Sequence, residues 1–128
     1  MSENRVMLHG TLITESLKVG SELQDIRLYV TNIRHIEVSN ASSKQTPIWT
    51  LIQFEADEND ASALAQSLAS CLSSTGGWYV NYSTSNTAFV IFPGRVFQYL
   101  LGSTEGRTKA EEYGRSIGIP ESQLDWKD

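Results

Sequence analysis

The residues of this chain that could perform nucleophilic chemistry are few. Ser116 lies in a Gly-x-Ser-x-Gly sequence (residues 114–118), which matches the nucleophile elbow of α/β-hydrolases. That elbow requires a strand before the serine, whereas a run typical of a helix precedes this one and no histidine follows it. We therefore expect Ser116 to be an ordinary residue in the last turn of a helix.

The single cysteine and the two histidines also match no catalytic or metal-binding pattern. Cys71 follows Leu64 and Leu68 at helical spacing, which predicts a buried thiol, and a lone cysteine excludes an intramolecular disulfide. His9 and His35 match no zinc-binding spacing, although either could act as a general base if the fold placed it in a pocket. The sequence therefore predicts no catalytic residue, no metal site and no cofactor.

The distribution of charge limits the classes of partner. The chain has 128 residues and a net charge of −5, and residues 48–94 contain four acidic side chains but no lysine or arginine. Nucleic-acid binding depends on cations that neutralise phosphates, so this distribution argues against a nucleic-acid partner. No stretch is apolar enough to span a membrane and the N-terminus has no signal-peptide pattern, so we expect a cytoplasmic protein without a membrane partner.

The most informative stretch ends at residue 101 and predicts three short strands joined by two-residue turns at Ser85-Asn86 and Pro93-Gly94. This register places one apolar set on the first face: Trp78, Val80, Tyr82, Phe89, Ile91, Val96 and Leu100. The second face would carry the candidate binding residues, which are Tyr79, Asn81, Phe92, Arg95, Phe97 and Tyr99. Four aromatic side chains in one patch exceed what a monomer usually exposes, so the second face requires a cover.

Apolar periodicity along the rest of the chain predicts an α+β fold. Strands are expected over residues 6–14, 26–38 (with a bulge near Asn32) and 48–56, and helices over 58–72 and 104–117. We therefore expect one domain over residues 1–128, with a mainly antiparallel sheet of five or six strands, a central amphipathic helix and a C-terminal helix. The strand–helix–strand–strand order resembles half of a ferredoxin-like unit. Residues 39–46 are predicted to form a mobile polar loop.

Two kinds of cover for the second face remain open. Ser103 or Thr104 can cap the C-terminal helix and Gly118 can end it, and the helix carries a narrow stripe that includes Ala110 and Tyr113. That helix could cover the face within the same chain. A second copy of the chain, another protein or a small molecule could cover it instead.

Four segments of the second half have distinctive sequences: WTLIQFEAD (49–57), GGWYVNY (76–82), FPGRVFQY (92–99) and GRTKAEEYGRSIGIPESQLDW (106–126). These segments resemble a group of small uncharacterised bacterial proteins. The resemblance implies a self-contained module and carries over no activity, cofactor or site residue.

Two classes of function fit these observations. The first is a non-catalytic interaction or binding module that uses the aromatic sheet face, with a second copy in a homodimer or a basic protein as partner. The second is a small enzyme or small-molecule binder in which Arg95 holds an anionic ligand and Tyr79, Tyr99 or a histidine acts as acid or base. The absence of an activated nucleophile or a carboxylate pair favours the first class.

Overall fold

A computed structural model describes residues 6–126. Six strands and two α-helices follow one another in the order β1, β2, β3, α1, β4, β5, β6, α2. The first antiparallel sheet has the order β1-β3-β2 and comprises β1 (Met7–Ile13), β2 (Tyr29–Glu37) and β3 (Ile48–Asp57). The second has the order β4-β5-β6 and comprises β4 (Val80–Ser83), β5 (Thr87–Phe92) and β6 (Arg95–Leu100). The α+β class is confirmed.

The prediction of a single sheet of five or six strands is wrong, because the six strands form two sheets. β1 and β4 lie beside each other, but no hydrogen-bonded ladder joins them within the described part of the chain. The ferredoxin-like half-unit fails for the same reason, since it requires β3 and β4 in one sheet. Alternation of apolar residues shows which side chains are buried, but it does not show which strand edges pair.

The predicted register of β4, β5 and β6 is confirmed. Val80 pairs with Ile91 and Phe92 pairs with Arg95, so both hairpins turn at the expected dipeptides. In the first sheet, β3 is the central strand, and the predicted bulge falls between Val30 and Asn32 of β2. Turn dipeptides and strict alternation fix the register because a slip of one residue would reverse every side chain.

The first helix, α1 (Ala61–Cys71), covers one face of the second sheet and part of the first. Its apolar stripe is continuous, because Ala61, Leu64, Ala65 and Leu68 follow the helical period and are all buried. A short 3-10 turn (Glu58–Asp60) precedes it. This α1-side core contains Leu8 and Phe54 from the first sheet and, from the second, Val80, Tyr82, Phe89 and Ile91.

The second helix, α2 (Thr104–Ser116), covers the opposite face of the second sheet. The Ser103 hydroxyl accepts a hydrogen bond from the Gly106 amide at 3.1 Å, and Gly118 follows the helix with a positive φ of 91°. A 3-10 turn (Glu121–Gln123) then brings the end of the described chain onto the same face. This α2-side core comprises Ala88, Val90, Phe92, Tyr99, Ala110, Ile119, Leu124 and Trp126.

The edge strand β2 projects beyond both cores. Eight of its nine residues are exposed and the ninth, Ile36, is half-buried. Its apolar side chains lie in water, with Val30 at 54% exposure and Ile33 at 63%. Neither helix in the described residues is long and apolar enough to cross a membrane.

Candidate functional site

The structure divides the six candidate binding residues among three surroundings. Phe92 is fully buried and Tyr99 is 7% exposed, both in the α2-side core. Phe92 packs edge-on against Tyr113 of α2, with ring centroids 5.0 Å apart, and the Tyr99 hydroxyl accepts a hydrogen bond from the Trp126 indole at 2.9 Å. The C-terminal helix and the segment after it therefore cover this part of the aromatic face within the same chain.

Arg95 and Phe97 lie at the rim of that cover. The Arg95 guanidinium lies 4.9 Å from the centroid of the Phe97 ring and 5.0 Å from that of Tyr113. Arg95 is exposed and Phe97 is half-buried. Cation–π contact with both rings holds the guanidinium at this part of the surface.

The remaining two candidates, Tyr79 and Asn81, line a pocket between the two sheets. We call it the inter-sheet pocket, and its lining includes Thr11, Trp49, Trp78, Tyr79, Asn81 and Asp125. Its volume is about 200 Å³. Pockets for drug-sized ligands are usually about 300–1,000 Å³, so this pocket suits a compact ligand or a single side chain.

Two indole rings form the aromatic part of the pocket. The centroids of Trp49 and Trp78 lie 5.4 Å apart and their planes differ by 64°. Trp49 comes from β3, and its indole N–H donates to the Thr46 carbonyl at 2.7 Å. Trp78 directly precedes β4 and is 6% exposed. Gly76 allows this arrangement, because a Cβ atom there would lie 2.6 Å from the Trp78 indole nitrogen.

A pair of buried glutamine side chains also lines the pocket. Gln45 and Gln123 are each 8% exposed, and their carboxamides exchange hydrogen bonds of 3.3 and 3.0 Å. Gln123 also donates to the Asn40 carbonyl at 2.7 Å. These bonds attach the loop of residues 39–46 to the C-terminal segment, so the mobile loop that the sequence predicts is anchored by its own Gln45.

The phenol of Tyr79 takes part in a hydrogen bond within the protein. Its hydroxyl donates a hydrogen bond to the Gln123 carbonyl. Burial, reinforced by the nearby Asp125 carboxylate, raises the pKa of Tyr79 from 10.0 to about 12. The phenol is therefore neutral at physiological pH, and its proton is not available for acid–base chemistry at the pocket.

The polar side chains that remain for a ligand include those of Thr11, Asn81 and Asp125. Within residues 6–126, neither the Asn81 carboxamide nor the Asp125 carboxylate has a hydrogen-bond or ion-pair partner. Asn81 is half-buried and Asp125 is exposed. The pocket thus combines aromatic walls with an amide and a carboxylate, which can accept and donate hydrogen bonds without breaking bonds already made.

The other chemistry-bearing residues lie outside the inter-sheet pocket. Cys71 is buried, as predicted, and its thiol donates to the Glu22 carbonyl at 3.2 Å. Ser116 occupies the last turn of α2, also as predicted, and bonds to the Tyr113 carbonyl at 2.6 Å. His9 lies 3.7 Å from Glu55, and no group of three metal-ligating side chains occurs in the described chain.

Comparison of the chain with protein-family models, with curated proteins and with solved structures finds no match. The resemblance of the second half to small bacterial proteins therefore stays a prediction. The function of the inter-sheet pocket has to be argued from its own residues.

Proposed function

We propose that this protein is a non-catalytic binding module and that the inter-sheet pocket receives its ligand. The observation that carries this proposal is the Asn81 carboxamide, which has no hydrogen-bond partner within residues 6–126 and lines the same pocket as the indole rings of Trp49 and Trp78. Binding sites are typically apolar and aromatic, with a few polar groups that orient the ligand. The hydrogen bonds between Gln45 and Gln123 support a preformed site, because they fix two lining segments before any ligand arrives.

The arrangement favours binding over catalysis. Tyr79 has a neutral phenol whose proton is engaged, and the thiol of Cys71 lies in the α1 region away from the pocket lining. Arg95, which the sequence suggested as an anion-binding group, stacks on Phe97 and Tyr113 and does not line the pocket. We therefore propose that the ligand is held by aromatic contact and hydrogen bonds, since no serine, cysteine or histidine is among the lining residues within positions 6–126.

A fragment screen observed by amide and indole NMR tests this proposal. We expect compact fragments to shift the indole signals of Trp49 and Trp78, and Asn81→Ala to weaken the best fragment by about 1 kcal/mol, or roughly fivefold. Asn59→Ala, which removes an exposed carboxamide ahead of α1, is the matched control and should leave affinity unchanged. Fragments that bind only elsewhere, or bind Asn81→Ala equally well, would contradict the proposal.

The exposed edge of β2 favours a second function, which is self-association. We infer that a second copy pairs with β2 in antiparallel fashion, because the outer edge of this strand has no neighbour within the described residues. Val30 and Ile33 would then leave water, and the strand charges of Arg34 and Glu37 balance. A two-fold axis makes such an edge complementary to itself.

Sedimentation over a range of protein concentrations tests the self-association. We expect a dimer whose formation is lost in Ile33→Lys, since a lysine on an edge strand blocks further pairing. Ile117→Lys is the control, because Ile117 is also exposed (40%) but lies beyond the end of α2. A monomer at every concentration, or an equal loss of dimer in both variants, would refute pairing through β2.

A further inference from the structure

The charged and aromatic groups of the inter-sheet pocket point to the class of its ligand. Three aromatic side chains and one carboxylate line it, and none of its lining residues within positions 6–126 is a lysine, arginine or histidine. We propose that the pocket takes an alkylammonium group, a positively charged nitrogen that carries methyl or methylene substituents. This inference rests on the proposed binding function and specifies the chemistry of the ligand.

The two indoles supply the surfaces that such a cation requires. Trp49 and Trp78 both line the pocket and contact each other edge to face, with ring planes that differ by 64°. An indole face attracts an ammonium group through its quadrupole, and the attraction grows when the site is desolvated. Both rings are fixed, Trp49 by its hydrogen bond to the Thr46 carbonyl and Trp78 by burial.

Asp125 supplies the negative charge. Its carboxylate is exposed at the pocket and has no ion-pair partner among residues 6–126, so an arriving cation displaces no existing salt bridge. Tyr79 adds an aromatic ring without adding charge, because its hydroxyl proton is bonded to the Gln123 carbonyl. The overall charge of −5 also favours the approach of cations over anions.

Arg107 is a described cation that acts on Tyr79 of the pocket. The charge of Arg107 reaches Tyr79, but Arg107 does not line the pocket. Its guanidinium lies 3.4 Å from the Glu111 carboxylate, donates to the Trp126 carbonyl at 2.5 Å and covers the Trp126 ring. The charge of Arg107 is therefore partly offset by Glu111, and among the described lining residues an alkylammonium meets only the negative charge of Asp125.

Choline and its uncharged isostere 3,3-dimethylbutan-1-ol form the decisive pair of probes. The two molecules have the same shape and the same hydroxyl group, but only choline carries a positive charge, on its quaternary nitrogen. We expect choline to bind about tenfold more tightly by titration calorimetry, which corresponds to about 1.4 kcal/mol of cation attraction. Equal affinities would overturn the ammonium assignment and leave the pocket as a site for uncharged ligands.

Variants of the pocket sharpen the same experiment. Asp125→Asn should weaken choline roughly fivefold and leave the isostere unchanged, since only the charged probe senses the carboxylate. Trp49→Leu should reduce the preference for choline to about the fivefold that Asp125 supplies, and Trp49→Phe should restore part of the loss by returning an aromatic face. Thermal unfolding of each variant separates lost binding from lost folding.

The source of the ammonium group is distinguished by a third probe, a short peptide that contains trimethyllysine. Tighter binding of this peptide than of choline assigns the pocket to a modified protein, and the reverse assigns it to a free metabolite. If uncharged fragments bind while choline and the peptide do not, the ammonium assignment fails and the binding function stands. If no probe or fragment binds, both fail.

Discussion

The two sheets contain three antiparallel strands each, but they differ in how much of their surface is covered by the rest of the chain. The second sheet lies between α1 on one face and α2 with the C-terminal segment on the other, and residues 88–92 of its central strand are all buried. The first sheet is covered over β1 and part of β3, whereas β2 lies in solvent on both faces. Apolar residues on both faces of the second sheet thus reflect two intramolecular covers.

Because of this difference, the surfaces available to partners are not the ones that the sequence predicts. The aromatic face that the sequence singles out is largely enclosed by α2, and only its β4 end, with Tyr79 and Asn81, opens onto a pocket. Three of the exposed apolar residues, Tyr29, Val30 and Ile33, lie instead on β2, whose alternating pattern is typical of an ordinary half-buried strand. Leu100, which the predicted register places on the first face of the second sheet, is also exposed (67%) because it ends β6 beyond the cover of α1. An apolar pattern shows that cover is needed but not which element provides it.

The largest expected effect comes from the covered sheet. Phe92→Ala should lower the free energy of unfolding by about 3–5 kcal/mol, because Phe92 is fully buried against three aromatic rings. Ile33→Ala on β2 should change it by no more than about 0.5 kcal/mol at protein concentrations too low for self-association. Urea denaturation measures both values. If the two variants lost similar amounts of unfolding free energy, the second sheet would not be more deeply buried than β2.

The contact between α2 and the second sheet should be sensitive to one methyl group. A Cβ atom at Gly106 would lie 2.2 Å from the Cβ atom of Tyr99, so Gly106→Ala should push α2 away and cost about 1–3 kcal/mol of unfolding free energy. Gly114→Ala is the control within the same helix, since its Cβ would meet the flexible end of Leu124 at 2.7 Å. We expect Gly114→Ala to lose less unfolding free energy than Gly106→Ala. A larger loss in Gly114→Ala would contradict a close contact between Gly106 and Tyr99.

The smallest effect in this series depends on alkaline pH. The pKa of Tyr79 is raised to about 12 and burial also raises that of Tyr82, so both phenols stay protonated in the folded chain above the unfolded pKa near 10. Stability should be retained below pH of about 10 and decline as the pH rises towards about 12. Thermal unfolding across this range, beside tyrosinate absorbance, measures the decline. Tyr79→Phe should make it shallower, and an unchanged slope would contradict the assignment to Tyr79.

Much of the fold is predictable because local rules determine it. Turn dipeptides fix the register of β4, β5 and β6, a serine cap and a glycine stop fix α2, and the apolar stripe fixes α1. The partition into two sheets is not predictable in this way, since it depends on whether the edges of β1 and β4 approach closely enough to bond. Periodicity carries no information about distances between strand edges.

Only the part of the candidate site that belongs to the predicted second face, around β4, could be anticipated from the sequence. Strand alternation places Tyr79 and Asn81 on the second face, whereas the sequence gives no reason to join Trp49 of β3 to them. Gln45 and Gln123 give no local signal, because each lies in a polar segment that is typical of an exposed loop. Their burial depends on a pairing across 78 positions of the chain. Asp125 likewise becomes a pocket residue only when the C-terminal segment folds back.

The bond between these two glutamines has a consequence for how the molecule opens. These hydrogen bonds join the loop after β2 to the segment after α2. If either segment leaves the surface, the glutamine of the other loses its hydrogen-bond partner. Amide hydrogens in both segments should therefore exchange with solvent in one cooperative event, at a rate set by the weaker of the two attachments. A ligand in the inter-sheet pocket would slow exchange at two places far apart in sequence while touching one cavity.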